Sequence, residues 1–300
     1  MDEVVIPLHG QPLSLAATLR NGQAFRWWQS ASLPGAWEGV AGHRWWRLTI
    51  RDQHLIAAYV GTGHDVPAAF LTHYFALDTD WIEVGAIVAR AHPAARVAVA
   101  RYPGLRVLRQ DPVETLLSFS IATASHVPRI TRSIDHISRR FGRVVAEVGG
   151  VHVRDFPSVP AIVGAPRDVL AQDCNLSFRA AAMQSVARTL EEHGDAWLPS
   201  LRLMPYTAAH MELDRLPHIG PKVADCVALM ALDHWEAVPV DTHILAISRE
   251  LFSESVATRS LTQKTYHTIG NRWRDVFGPL AGLAQQWLFH ARRDDQGRVP

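Results

Sequence analysis

The feature that most constrains this chain is a change of hydrophobic period. From Val4 to about Tyr59 the apolar residues come in short, alternating, aromatic runs, "PLSLAATLR", "QAFRWWQS", "AWEGVAG", "HRWWRLTI" and "HLIAAYV", punctuated by Gly and Asp. A period of two places alternate side chains on one face of a strand, so this stretch predicts an antiparallel meander. From "VPAAFLTHYFAL" and "DWIEVGAIVARAH" onward the spacing is helical, and after "RYPGL", near residue 105, it predicts helix almost throughout. The expected fold is α+β, with a β-rich domain over residues 1–105 and a helical domain over 106–300. With 48% apolar residues, 300 residues supply enough for two cores.

Several helix ends are written into the second half. Asp111-Pro112-Val113-Glu114 supplies an N-cap, a first-turn proline and a glutamate three residues after the cap. "HVPRITRSIDHISRRFG" puts Ile130, Ile134 and Ile137 on one face and stops at Gly142. Further helices are expected over 177–193, 206–215, 221–233, 241–252 and 262–291. No fixed-period repeat or low-complexity tract interrupts them.

Composition removes several classes of function. No run of about eighteen apolar residues is present, so a membrane span is not expected. The opening "MDEVVIPLHG" lacks the long apolar core of a secretion signal. Cys174 and Cys226 are the only cysteines, which excludes an intramolecular four-cysteine zinc or iron–sulfur site and points to a reducing, intracellular location, cytoplasm, nucleoid or nucleus. The formal net charge is +1 and is evenly spread: residues 1–110 hold ten Arg against eight acids, and 111–300 hold twenty Arg and Lys against twenty-one. A protein that holds nucleic acid by bulk electrostatics is far more basic, so any DNA contact here relies on placed groups.

One such placement is "LDRLPHIGPKVADCVALMALDHWEAVPVDTH". Gly220 would allow a sharp turn, Pro221 suits the first position of a helix, and Leu216, Ile219, Val223 and Val227 would join two helices. Exposed backbone N–H groups at such a turn form a phosphate site without basic side chains. Taken alone, the motif fits an ordinary helical hairpin equally well. Lysine, however, is rare here: Lys222 and Lys264 are the only two among thirty cations. At the first turn of a helix a lysine faces the positive end of the macrodipole, which disfavours its charge. A surface lysine tolerates this, whereas a nucleophile gains, because a free lysine is only about 0.1% neutral or less at pH 7. Asp241, ahead of "THILAISREL", is either a plain N-cap or a carboxylate set to face an electron-poor sugar.

The segment from Leu216 to His243 resembles the helix-hairpin-helix DNA glycosylases. "GPKVADC" with "AVPVDTH" is similar to the 8-oxoguanine DNA glycosylases in particular, as are "NGQAFRWW", "DPVETLLSFSIATASHVPRITRSIDHISRRFG" and "AGLAQQWLF", in the same order along most of the chain. The resemblance implies a TATA-binding-protein-like N-terminal domain ahead of a helical helix-hairpin-helix domain. It implies an N-glycosylase and abasic-site lyase that acts on duplex DNA containing 8-oxoguanine as a monomer, with no metal or organic cofactor. Lys222 matches the Schiff-base nucleophile and Asp241 the catalytic carboxylate. Gly22 matches the position whose carbonyl reads the N7 hydrogen of the lesion. Cys226 and Phe289 match the two faces around the flipped base, and Gln285 the amide at its pairing edge. His243, with His218 and Gly220 of the hairpin, matches positions that contact DNA. Cys226 lies one helical turn after Lys222, so a thiolate–ammonium pair is geometrically open.

Around the opposite base, Arg129 and Arg179 match the arginines that grip an unpaired cytosine, and Phe178 replaces a wedge that is usually tyrosine. Ala124, Ser125 and His126 stand where relatives carry asparagines, which puts opposite-base discrimination in question. Without the resemblance, Cys226 and Phe289 read as core, His243 as a solvated first-turn residue, and the Arg129, Arg132, Arg139 and Arg140 group as a helix face. Two other functions compete: a glycosylase of this fold for another damaged purine, and a non-catalytic helix-hairpin-helix DNA-binding protein.

Overall fold

The computed structural model describes residues 1–122, 125–252 and 260–297. Strands β1 (Asp2–Pro7), β2 (Trp27–Gln29), β3 (Trp37–Ala41), β4 (Arg44–Arg51) and β5 (His54–Val60) form one antiparallel sheet of order β1-β5-β4-β3-β2. Two-residue turns set its register. Gly42 and His43 join β3 to β4 with φ of 57° and 62°, and Asp52 and Gln53 join β4 to β5 at 47° and 59°. Positive φ at both central residues matches the twist of a hairpin.

"PLSLAATLR" departs from the expected alternation. Leu15–Leu19 is a short helix, capped by the Ser14 side chain, which accepts from Ala17 N at 3.2 Å. Leu15 and Leu19 are both buried, so the i, i+4 spacing and the serine cap outweigh the short apolar alternation.

Trp45 and Trp46 are neighbours on β4 and point to opposite faces, yet both are fully buried. Trp46 stacks on Phe70 of the Pro67–Tyr74 helix, with ring centroids 5.6 Å apart. Trp45 is covered by a second sheet, β6 (Val144–Val148) and β7 (Val151–Arg154), which supplies Ala146, Val145, Val148 and Val153. This hairpin corrects the expectation that nearly everything after residue 105 is helical. Its turn is Gly149-Gly150, with φ of 59° and 76° between two β-branched runs.

The helical part follows its end signals closely. Asp111 Oδ1 accepts from Glu114 N at 2.7 Å and caps Pro112–Ser120, an interaction worth about 1 kcal/mol. Ile130, Ile134 and Ile137 are buried along Val127–Phe141. Gly142 ends that helix without a left-handed backbone, at φ −76°. It is glycine for space: a Cβ there would lie 2.0 Å from Asp155 O, where the chain leaving β7 crosses. The expected 262–291 helix is two, Gln263–Phe277 and Ala281–Asp295. Gly278, at φ 58°, ends the first, and Pro279 follows in a 3₁₀ turn.

The buried cluster beneath the sheet runs from Ile6 to Phe75 and adds Leu108. Trp81, Val84, Val88, Ala95 and Ala98 pack instead into the helical cluster. A domain division at residue 105 is therefore a proposal about chain order, since the helices just before it pack with the second half. Gln23 ties the halves together. Its Nε2 donates to Thr18 O and Arg106 O, and its Oε1 accepts from Leu108 N, each at 2.8 Å. Among the described residues, no helix is long and apolar enough to cross a membrane.

Candidate active site

The hairpin joins the Tyr206–Asp214 helix to Pro221–Ala231. Leu216, Ile219, Val223 and Val227 are buried between them, as their spacing predicts. The sharp turn, however, is made at His218, which is exposed at φ 62°. Gly220 is extended at φ −110°. Its carbonyl accepts from Val223 N and Ala224 N at 3.0 Å each, and a Cβ there would meet nothing within 4 Å. Glycine thus leaves the front of the turn bare, so that another backbone can approach closely.

Lys222 follows Pro221 in the first turn, half-buried, with Nζ 5.2 Å from the centroid of the Phe119 ring. Asp241 caps Thr242–Phe252: Oδ1 accepts from Ile244 N at 2.8 Å, and the main-chain carbonyl accepts from Leu245 N at 2.8 Å. Both of its expected roles are therefore open to it, since the cap engages Oδ1 alone. Lys222 and Asp241 line one open cavity of about 1180 Å³, together with Gly22, His218, Gly220, His243 and Phe289. That volume is ample for a nucleotide swung out of a duplex.

Gly22, on the stretch of cavity wall that Val127 and Arg293 also form, is in the left-handed region, at φ 88°. A Cβ there would lie 3.0 Å from Val127 Cγ2 and 3.4 Å from Arg293 Nη1. Gly22→Ala is expected to cost about 1–2 kcal/mol through its backbone conformation and to slow base release, because Val127 or Arg293 must give way. Thermal melting and single-turnover excision on one preparation check both effects.

Arg293, a residue sequence reading passed over, spans this wall. Its guanidinium lies over Phe289 at 5.6 Å, and Nη1 donates to Asn21 O at 3.3 Å. His243 meets the Phe289 ring edge-on, at 5.8 Å and 78°. Asn21, Phe119 and Tyr266 also line the cavity and were not singled out. The spacing of Arg293 four residues after Phe289 was available as a signal; Tyr266 offered none.

Cys226 and Gln285 are each only 2% exposed and do not belong to the cavity lining. Burial pushes the Cys226 thiol up to about 11, a rise that hydrogen bonding and charge from Lys222 only partly oppose. Burial thus disfavours the thiolate, and the nearby Lys222 favours it. Gln285 Oε1 accepts from Gln286 Nε2 at 3.3 Å.

Of the residues expected to face the opposite base, Arg129, Phe178 and Arg179 are not among those that line the cavity. Arg129 lies between the lining residues Pro128 and Ile130. Phe178 is 68% exposed at the start of Arg179–His193, and the buried Arg179 guanidinium stacks on it at 4.5 Å. Burial and then the nearby charge of Arg129 lower the pKa of Arg179, so the two cations share one neighbourhood. An exposed aromatic ring backed by a guanidinium has the form of a wedge. Ser125 and His126 line the cavity, while Ala124 lies outside the described residues.

The family described as 8-oxoguanine DNA glycosylase, N-terminal domain, matches residues 5–116. The Arabidopsis thaliana N-glycosylase/DNA lyase OGG1 is 28% identical over 285 residues, covering 93% of this chain and 77% of that protein. A probable N-glycosylase/DNA lyase from Methanothermobacter thermautotrophicus is 32% identical over 211 residues, covering 63% and 64%. The structure of Clostridium acetobutylicum 8-oxoguanine glycosylase/lyase with duplex DNA containing cytosine opposite 8-oxoguanine superposes with a TM-score of 0.84. It is 26% identical and covers 98% of this chain and 96% of that one. The superposition, which spans nearly the whole of both chains, gives this protein the fold of the helix-hairpin-helix DNA glycosylases. Within that class, the chain is similar to the 8-oxoguanine DNA glycosylase/lyases along nearly its whole length.

Proposed function

We propose that this protein removes 8-oxoguanine from duplex DNA and then cleaves the strand by β-elimination, with Lys222 as nucleophile. The observation that carries the reading is the shared cavity of Lys222 and Asp241, which Gly22 also lines. In this scheme the neutral Lys222 amine attacks C1′ as the glycosidic bond breaks, and the bonding pair departs with the base. Positive charge builds on the sugar, and the Asp241 carboxylate stabilises it. Opening of the sugar ring gives an iminium, and loss of a C2′ proton expels the 3′ phosphate. The Gly22 carbonyl accepts from N7–H of the lesion, a hydrogen that guanine lacks. Phe289 stacks on the flipped base, while Cys226 and Gln285 back its pocket. His243, His218 and the Gly220 turn hold phosphate, and Arg129, Phe178 and Arg179 fill the gap and face the opposite cytosine. The site of action is intracellular DNA.

Single-turnover excision on duplexes that differ only in carrying 8-oxoguanine, guanine or 3-methyladenine tests the reading. Release of 8-oxoguanine with strand cleavage is the expected result. Release of the alkylated base alone, or binding without chemistry, would favour one of the two competing functions.

Preference for the opposite base is expected to be modest. Arg129 and Arg179 suit the O2 and N3 acceptors of cytosine, but the asparagine amides of relatives are missing at Ala124 and Ser125. Each lost hydrogen bond to a charged or polar partner is worth about 1 kcal/mol or more. Excision rates against all four opposite bases check this; a preference of many orders of magnitude for cytosine would assign selectivity to the two arginines alone.

A further inference from the structure

Lys222 and Asp241 stand on different elements, so neither helix by itself fixes the distance between them. One buried side chain touches both approaches. Tyr266, from the Gln263–Phe277 helix, is 5% exposed. Its hydroxyl lies 3.1 Å from the carbonyl of Pro221, the residue before Lys222, and 3.4 Å from the N–H of Val240, the residue before Asp241. Val238 O is 3.2 Å away, and Asp225 Oδ2, on the helix that carries Lys222, is in direct contact.

We propose that Tyr266 is a positioning residue that sets the spacing of the nucleophile and the carboxylate, a role that rests on the reading of Lys222 and Asp241 given above. A phenol carries one proton. It accepts from Val240 N–H and donates to one of Asp225, Pro221 and Val238 at a time, so a single oxygen pins both segments. Burial raises the Tyr266 phenol well above its ordinary pKa, and the neighbouring Asp225 carboxyl adds to the shift, which keeps the proton in place as a donor. The same carboxyl has other partners: Tyr206 donates to Oδ1 at 2.7 Å, and His210 Nε2 lies 3.6 Å from it. Tyr206 therefore shares the buried carboxylate without a hydrogen bond to Pro221 or Val240. It is an internal control for the stability of the network.

Tyr266→Phe keeps the ring and removes the oxygen. Displacing a reacting group by about 1 Å costs about a hundredfold, so single-turnover release of 8-oxoguanine is expected to slow by about ten- to a hundredfold. Affinity for a duplex carrying a non-hydrolysable abasic-site analogue is expected to stay within about threefold, since the hydroxyl makes no DNA contact in this scheme. Tyr206→Phe is expected to lower the melting temperature comparably and to leave the release rate unchanged. Full activity in Tyr266→Phe, or an equal loss of rate in Tyr206→Phe, would overturn the positioning role. If Tyr266→Phe does not fold, Val240→Pro removes the donated N–H and leaves the tyrosine intact, with the same expected slowing; an unchanged rate there would overturn the role too. Wild-type protein that releases no 8-oxoguanine would instead remove the catalytic reading itself.

Discussion

Lys222→Gln is expected to abolish the covalent complex that borohydride traps on 8-oxoguanine DNA, while duplex binding persists. Glutamine has nearly the length of lysine and no nucleophilic amine, so the iminium has no nitrogen from which to form. The fold has little to lose. Lys222 is half-buried in the first turn, with its ammonium over the Phe119 ring. Losing a cation over an aromatic ring costs about 0.5–1 kcal/mol at a partly exposed site. Base release is expected to fall by about ten-thousandfold or more, the scale seen when one member of a catalytic unit is removed. Gel-resolved trapping beside a binding isotherm separates the two effects. Undiminished trapping would move the role to Lys264 or the N-terminal amine.

Asp241→Asn carries the second large effect, and the geometry makes it a clean substitution. Asp241 Oδ1 accepts from Ile244 N at 2.8 Å, and asparagine caps a helix about as well as aspartate. Stability is therefore expected to change by less than about 1 kcal/mol. What disappears is the negative charge beside the sugar, so single-turnover release is expected to slow by about a hundredfold or more. A melting curve and a rate from one preparation distinguish the roles. A variant that melts early but keeps its rate would show the residue to be a cap alone.

The sequence was most informative where local chemistry decides structure. The stretch from Val4 to about Tyr59 holds the five strands of the sheet apart from Asp2 and Glu3 of β1 and Val60 of β5, although β1 lies in none of the alternating runs, and the Asp111 cap and the isoleucine face of Val127–Phe141 lie where their spacing puts them. Local reading failed where two signals overlapped. Leu15–Leu19 looked alternating until its serine cap is considered, and Gly278-Pro279 divides what looked like one long amphipathic helix. The β6–β7 hairpin carried a Gly-Gly turn that the surrounding helical pattern overshadowed. At the hairpin before Lys222, glycine drew attention to the wrong residue, because His218 adopts the left-handed backbone and Gly220 does not.

The site divides the same way. Lys222 and Asp241 stood out through rarity and helix-end position, and Gly22, His243 and Phe289 through resemblance; all five line one cavity. Tyr266 was invisible because its partners lie 26 to 45 residues away in the chain. No local period or cap marks a residue whose work is to join distant segments. Cys226 marks another limit of local reading: helical spacing put it on the face of Lys222, but its full burial, which raises the thiol pKa, could not be read from spacing.

The most direct test of the central claim is to trap wild-type protein on an 8-oxoguanine duplex with borohydride and map the modified peptide by mass spectrometry. The account predicts one cross-link, at Lys222. A cross-link at Lys264 or at the N-terminal amine, or excision with no cross-link at all, would contradict it.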